Sequence, residues 1–460
     1  MNSSTANQMT SAKHQPRTAS RTTLPRWTLA VAGLGVTTLP AMGWQLASNL
    51  TVRAEMSVKE GYDSNVYLQN QEPNLTLVPK AAQPHTDSFI TTLTPGVFFD
   101  YQPCAAFNFS GSYTPAIAFY YSTPSENHVA NRITGNLSGK IQETPWELLN
   151  ALNIITGQNE GVYYGGTPYV GGNVPALGGI PVRDRRDATV YRGGFRTTLT
   201  KEKFFVRPVA SVYVHNFHTV QKTNSLLLAN ATPNPNFGYE NYVDRNEFAG
   251  GLDVGYEVAE DLRLYALYRY GHEGEGNMVG SPFSYGNSYN RPGGGLEGQP
   301  WPWLKLAMAF GADIHQTTCQ RTAPGFERDY TKLWSDTLIT FLPTPQDTIT
   351  FKFTKNTQPA FSSPSVYDDT VFDVLGRHKF GPHWSVGAGM RWYNGDWFKP
   401  VLRNDWVYTA SASVAYTYNA HLSAELTYSY DWTDCDYPPL DTAGREYTRS
   451  LVWLGMKYAF

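Results

Sequence analysis

A chain of 460 residues with 36 Lys and Arg against 39 Asp and Glu, a formal charge of −3, has no basic domain of the kind nucleic acid requires, and nucleic acid is excluded as a partner. Only 16% of residues are charged and mean hydropathy is −0.39, yet the chain holds 30 Tyr, 23 Phe and 12 Trp. Strands that alternate apolar and polar residues hide their apolar half from any average, and aromatic residues gather where a protein surface meets a membrane interface.

From the amino terminus the chain is polar to about Pro25, with Lys13, Arg17, Arg21 and Arg26 and no acidic residue before Glu55. An apolar run from Trp27 to Leu39 follows, then Pro40-Ala41-Met42-Gly43. A positive flank, a short apolar core and small residues at a cleavage position form an export signal, so residues 1–47 are expected to be removed and 48–460 to form one domain. No run is apolar and long enough for a transmembrane helix. Cys104, Cys319 and Cys435 are too few and too scattered for a disulfide framework or a metal site, and no cofactor is expected. A Cys319–Cys435 bridge would suit an oxidising compartment.

After the signal the sequence repeats one unit, two alternating segments joined by a tight turn and followed by a longer polar loop. From Trp406 to Tyr418 the even positions are apolar or aromatic and most odd ones polar; after Asn419-Ala420 the same holds from Leu422 to Trp432. Tight turns recur at Tyr101–Cys104, Glu143–Trp146, Lys201–Lys203, Val258–Asp261, Gln299–Pro302, Pro343–Asp347, Phe380–His383 and Asn419-Ala420, where Pro, Gly, Asn or Asp break strand pairing at most of them. With a first strand from Leu50 to Glu60, eight turn-linked pairs and a closing strand from Arg445 to Phe460, the count is eighteen; strands near Val366–Phe380 alternate least cleanly, which leaves sixteen open. The expected fold is all-β, a transmembrane antiparallel barrel with short turns on the periplasmic side and long extracellular loops.

The last strand carries Val452, Leu454, Met456, Tyr458 and Phe460 on one face and finishes on the aromatic carboxylate. It resembles the closing strand of Gram-negative outer-membrane β-barrels, in which the terminal Phe belongs to the signal read by the barrel-assembly machinery. That resemblance implies an outer-membrane location, assembly-signal roles for Phe460, Tyr458 and Met456, and outer-membrane lipid and the assembly machinery as partners. Gly61-Tyr62-Asp63-Ser64-Asn65-Val66-Tyr67 is similar to an early segment of the outer-membrane β-barrel porin type 2 family. This likeness covers architecture along most of the chain and sequence over very little, and it implies a porin, in which oligomers are common.

If the apolar parity faces lipid, the inner face carries Arg132, Lys140, Arg192, Arg196, Arg207, Arg245, Arg263, Arg269, Arg291, Lys305, Arg391, Arg449 and Lys457, against Glu247, Asp253, Glu257, Glu297, Asp313, Asp336, Glu425 and Asp431. Arginine stays charged at any relevant pH, so Arg132, Arg192, Arg196, Arg207, Arg263, Arg269, Arg391 and Arg449 are the candidate pore-lining residues that would set a weak anion preference. Arg192, Arg196 and Arg207 are the best local ladder because no acid faces them on their own two strands. The bland alternative is that these charges pair across neighbouring strands and select nothing. The glycine-rich loop Gly161–Pro181 could fold back and narrow a pore.

Chemistry for catalysis is missing. Asp313 with His315, and His421 with Glu425, share inner faces, but no Ser or Cys stands in an activating frame, so no enzyme is expected. The reading is a channel for passive diffusion of small hydrophilic solutes. Its rivals are a structural or adhesive barrel with a closed lumen and binding loops, and a secretion pore for a polysaccharide or appendage, for which Trp303, Trp334 and Trp453 of inward parity would offer stacking platforms.

Overall fold

The computed structural model describes residues 44–66, 68, 85–104, 106–157, 187–218, 243–276, 283–318, 322, 324–359, 366–399, 402, 404–436 and 446–460. All the strands among them belong to one antiparallel sheet. A short β1 (Trp44–Ala47) folds back on the start of β2 (Leu50–Asp63), and β3 (Ser88–Cys104) follows. Next, β4 (Phe107–Tyr113) and β5 (Ala116–Tyr120) are one stave interrupted at Thr114-Pro115, where proline has no N–H to give a ladder. After β6 (His128–Ile141) and β7 (Thr144–Gly157), β8 (Ala188–Thr197) and β9 (Leu199–Lys201) form a second broken stave.

The remaining strands are long and unbroken: β10 (Phe204–Phe217), β11 (Arg245–Ala259), β12 (Leu262–Glu275), β13 (Asn287–Trp301), β14 (Leu304–Thr317), β15 (Asp329–Phe341), β16 (Asp347–Pro359), β17 (Val366–Phe380), β18 (Trp384–Trp397), β19 (Asn404–Thr417), β20 (Leu422–Asp436) and β21 (Thr448–Ala459). Each pairs with its predecessor, and β21 pairs with β2 from Glu55↔Ala459 to Asp63↔Leu451, which closes the sheet. Setting β1 aside and counting each broken stave once leaves eighteen, the expected number. Closure removes the two free edges of an open sheet, and each stave finds partners on both sides over at least part of its length.

All eight short turns fall where turn residues predict them, with small shifts. The reversal expected at Tyr101–Cys104 comes later, since Cys104 still pairs with Phe107. Gln142, Glu202 and Asp261 sit in the left-handed region (φ 57°, 55° and 59°), as tight hairpins demand. The first strand runs on to Asp63 and the closing strand starts at Thr448, three residues from the expected limit in each case.

Parity decides what each side chain meets. On β11 and β12 Leu252, Val254, Leu264, Tyr268 and Tyr270 are exposed, while Asp253, Tyr265 and Leu267 between them are buried. The exposed apolar parity continues around the barrel, and in water such a surface would be strongly unfavourable. It is the outer face of a membrane-spanning barrel. Aromatic pairs mark both limits of this belt. Trp301–Trp303 (5.2 Å) and Trp384–Tyr416 (4.6 Å) lie at the short-turn rim; Tyr62–Phe89 (5.2 Å) and Tyr408–Trp432 (5.1 Å) lie toward the long loops. Trp303 also stacks on Phe341, whose parity is the lipid-facing one, so it belongs to the rim and not to the lumen as its own parity suggested.

Candidate pore and its constriction

Every charged residue assigned inward by parity lies on the inner face. They are not equally accessible. Near the short turns, Arg53, Asp100, Glu257 and Arg263 keep side-chain exposures of 34%, 45%, 35% and 28%. Toward the long loops, Asp63, Arg245, Glu273 and Asp313 keep 4% or less. The lumen therefore tightens from the short-turn rim toward the long-loop rim.

Six of the eight candidate arginines meet carboxylates of the described residues. Arg207 donates from Nε to Asp253 Oδ2 and from Nη1 to Glu297 Oε1, both at 2.7 Å. Arg269 lies 2.5 Å from the other Asp253 oxygen, and Arg263 approaches Glu257 (4.0 Å) and Glu297 (3.9 Å). Arg391 grips Asp373 (2.5 Å), Arg449 grips Asp63 (2.6 Å), and Arg196 pairs with Glu147. Charge-assisted and often bidentate, these contacts hold the guanidinium groups in fixed positions.

The expected ladder of Arg192, Arg196 and Arg207 is thereby corrected. No acid faces these residues on β8 or β10, but β7 supplies Glu147 directly opposite Arg196, and β11 and β13 supply Asp253 and Glu297 to Arg207. Arg192 instead lies over the Tyr213 ring at 4.7 Å, a cation–π contact that leaves its charge in place. Arg132 projects from β6 opposite Asn153. Among the described residues, the inner face of β6 to β8 carries Arg132, Lys140, Arg192 and Arg196 against Glu147, a strip with more base than acid.

The narrow part is built by the ends of β16 and β17. Val366, Tyr367, Asp368 and Asp369 are all at least 96% buried, both parities alike, and so are Thr357 and Gln358 opposite them. A stave facing lipid on one side cannot bury both faces; this hairpin end leans into the lumen. Arg245, five staves away on β11, donates from Nη1 to Gln358 Oε1 (2.6 Å) and to Pro359 O (3.3 Å), while its Nη2 meets Glu273 (3.1 Å). Glu273 in turn accepts from Asn287 (2.7 Å), and Asn287 Oδ1 lies 2.8 Å from His315 Nδ1. On the opposite side Leu68, with φ 52°, packs against Val371, Tyr393, Val407 and Tyr447. Leu68, just past the Gly61–Tyr67 motif, thus reaches inner-face residues of β17 to β19, and Asp63 at the end of β2 is clamped by Arg449 Nη2 at 2.6 Å.

Several sequence expectations find their places here. Loop Gly161–Pro181 lies outside the described residues; among these, the narrowing comes from residues 356–359, 366–369 and 68. His315 and Asp313 stand 3.8 Å apart inside the polar network, and His421 Nδ1 lies 2.7 Å from Ala459 O at the short-turn rim. Trp334 sits beneath the Arg291 guanidinium (4.4 Å) and Trp453 covers Gly61, so both indoles are already occupied. Buried Cys435 donates to Asp405 Oδ1 (3.0 Å), and Cys319 lies outside the described residues. Met456, Tyr458 and Phe460 face outward at 53%, 44% and 49% exposure, with the Phe460 N–H bonded to Ala54 O at 2.9 Å.

The sequence reading missed Glu147, Glu273, Asp373 and Gln358. Glu147 and Asp373 could have been found from the turns beside them, which set the strand register; Gln358 has no local signal beyond the weak alternation after Val366.

Fold and lumen together define a membrane-spanning β-barrel with a charged interior and a built-in constriction. No protein-family model matches the chain, and no curated protein matches it. Among solved structures, the chain is similar to the FrpB iron transporter from Neisseria meningitidis (F5-1 variant, apoprotein form), at 9% identity over 89% of this chain and 81% of that one, with a TM-score of 0.44. It is also similar to OccAB4 of Acinetobacter baumannii (10%, 89% and 98%, 0.41) and to the anion-selective porin from Comamonas acidovorans (10%, 89% and 99%, 0.37).

Proposed function

We propose that this protein is a porin-like channel of the Gram-negative outer membrane through which small hydrophilic solutes diffuse. The observation that carries this reading is the pairing of a largely apolar outer face with a charged inner face in one closed barrel. A purely structural barrel would have no need to line its interior with ionised groups, each of which must find a partner or water. In this reading the short turns face the periplasm and the long loops the exterior, residues 1–47 are removed on export, and Met456, Tyr458 and Phe460 are read by the assembly machinery.

Arg132, Lys140, Arg192 and Arg196 give the lumen a weak preference for anions. Fixed charge in a water-filled passage attracts counter-ions over about 8 Å at physiological ionic strength. A planar-bilayer recording tests both parts: discrete conductance steps establish the channel, and a reversal potential in a salt gradient displaced toward the anion limit establishes the preference. A second reading, a barrel with a closed lumen and binding loops, is favoured by the Arg245–Gln358 bridge across the passage. A bilayer that stays sealed with correctly inserted protein would replace the first reading with the second.

A further inference from the structure

The ladder between β15 and β16 stops early. Its pairs run only from Phe341↔Ile349 to Ser335↔Lys355, whereas the flanking ladders continue to Gln316↔Asp329 and Pro359↔Val366. Among the described residues, Asp329–Trp334 therefore pair with β14 alone, and the wall has a seam in its long-loop half. Leu333, on the β15 lip of that seam, is 52% exposed on the lipid-facing parity, next to Phe310 and Ile314 on β14. The gap in the ladder lies at the depth of the hydrocarbon belt and is filled by the buried side chains of Tyr330, Val366 and Asp368.

Behind it lies a patch unlike the rest of the lumen. Tyr285, Phe326, Tyr330 and Val366 form a buried apolar cluster, with Phe398 packed against it. Lys332 bridges the seam, its Nζ 3.2 Å from Asp368 Oδ2 and 4.5 Å over the Phe398 ring, and Lys355 Nζ stands 4.0 Å from the same carboxylate. Two ammonium groups share the Asp368 carboxylate beside an aromatic surface, with Asp369 the next residue along β17. A small polar solute gains nothing from that surface, whereas a molecule with an anionic head and a hydrocarbon chain satisfies both halves.

We propose that the β15–β16 seam is a lateral binding site for a long-chain carboxylate drawn from the surrounding lipid layer. Its head displaces Asp368 from Lys332 and its chain lies on Phe326, Tyr330 and Phe398. This site requires no axial conductance, so it stands or falls apart from the diffusion reading.

The test is photolabelling of the whole barrel in neutral phospholipid vesicles with a diazirine-bearing long-chain fatty acid. Label is expected on the peptides that carry residues 326–334 and 398, displaced by unlabelled fatty acid, and reduced about tenfold in Lys332→Glu, as loss of one charged contact implies. Lys355→Gln, a milder change at the same carboxylate, gives a smaller reduction and serves if the first variant fails to fold. Label spread evenly around the belt, or equal labelling of the same peptides by a diazirine alkane without a head group, overturns the proposal.

Discussion

Arg245 and Gln358 join two separate stretches of the barrel wall: the arginine Nη1 donates to the glutamine Oε1 at 2.6 Å although their strands are five staves apart. Neighbouring staves are joined by their ladders, so this contact adds nothing to strand pairing and can exist only if the wall bends inward.

Removing the glutamine leaves Arg245 with Glu273 at 3.1 Å but takes from buried Asp369 the amide that donates to its Oδ2 at 3.1 Å. Gln358→Ala is therefore expected to fold with a loss of about 1–3 kcal/mol and to raise single-channel conductance by roughly half, because it removes a contact that crosses part of the lumen. Arg245→Ala is the harsher change: it strands a buried Glu273 and should cost about 3–5 kcal/mol in unfolding experiments. Conductance steps unchanged in Gln358→Ala would show that the current passes elsewhere.

Arg207 tests the paired lumen. Its guanidinium is 7% exposed and holds Asp253 and Glu297, which are 2% and 4% exposed. Arg207→Met leaves two buried carboxylates short of a cation and should lower stability by about 3–5 kcal/mol, read from the urea midpoint in refolding into micelles. The triple change Arg207→Met, Asp253→Asn, Glu297→Gln should recover most of that loss. Equal midpoints for the single and triple variants would mean that the cluster is solvated and not a buried network.

These two sites mark how far local sequence reading reaches. Parity placed Arg207 and Asp253 on the inner face because side chains alternate strictly along a strand, and hairpin turns then fix adjacent registers. Arg207 and Asp253 face each other in the ladder, but a long connection joins their strands, so parity places both inward without fixing that pairing. Glu297 is 90 residues away and reaches Arg207 across two intervening strands. Such a contact depends on barrel curvature and side-chain length, which alternation does not encode. The inward lean of β16 and β17 left one trace, the run Val366-Tyr367-Asp368-Asp369, whose broken alternation reads as a doubtful strand until burial of both faces explains it.

Charge selectivity separates the basic strip from the neutralised pairs. Arg192 lies over Tyr213, and Arg192→Gln removes one net positive charge from the strip. The reversal potential in a salt gradient should move toward the cation side. Arg391→Gln with Asp373→Asn removes a matched pair 2.5 Å apart and should leave it where it was. Equal shifts in both variants would put selectivity outside the strip.

Gly61 on β2 faces Trp453 on β21, and the indole lies where a β-carbon at position 61 would stand. This pairing sits at the closure of the barrel, where the first long strand meets the last. Gly61→Val is expected to cost about 1–3 kcal/mol through overpacking. Trp453→Ala in the same chain should relieve part of that cost by vacating the space. A double variant less stable than the sum of the two single changes would show that the indole does not rest on the glycine.

Phe460 distinguishes a packing role from an assembly role. Its side chain is 49% exposed on the outer face, and its ring lies 4.9 Å from Tyr458. Its N–H bonds to Ala54 O at 2.9 Å, and alanine retains that backbone contact. Phe460→Ala therefore removes only part of one exposed ring and should change stability in micelles by no more than about 1 kcal/mol. If the terminal ring is read during assembly, the same variant should show a severalfold fall in folded barrel recovered from the outer membrane, with refolding in vitro unaffected. Parallel losses in both measurements would make Phe460 a packing residue, and equal recovery in cells would remove it from the assembly signal.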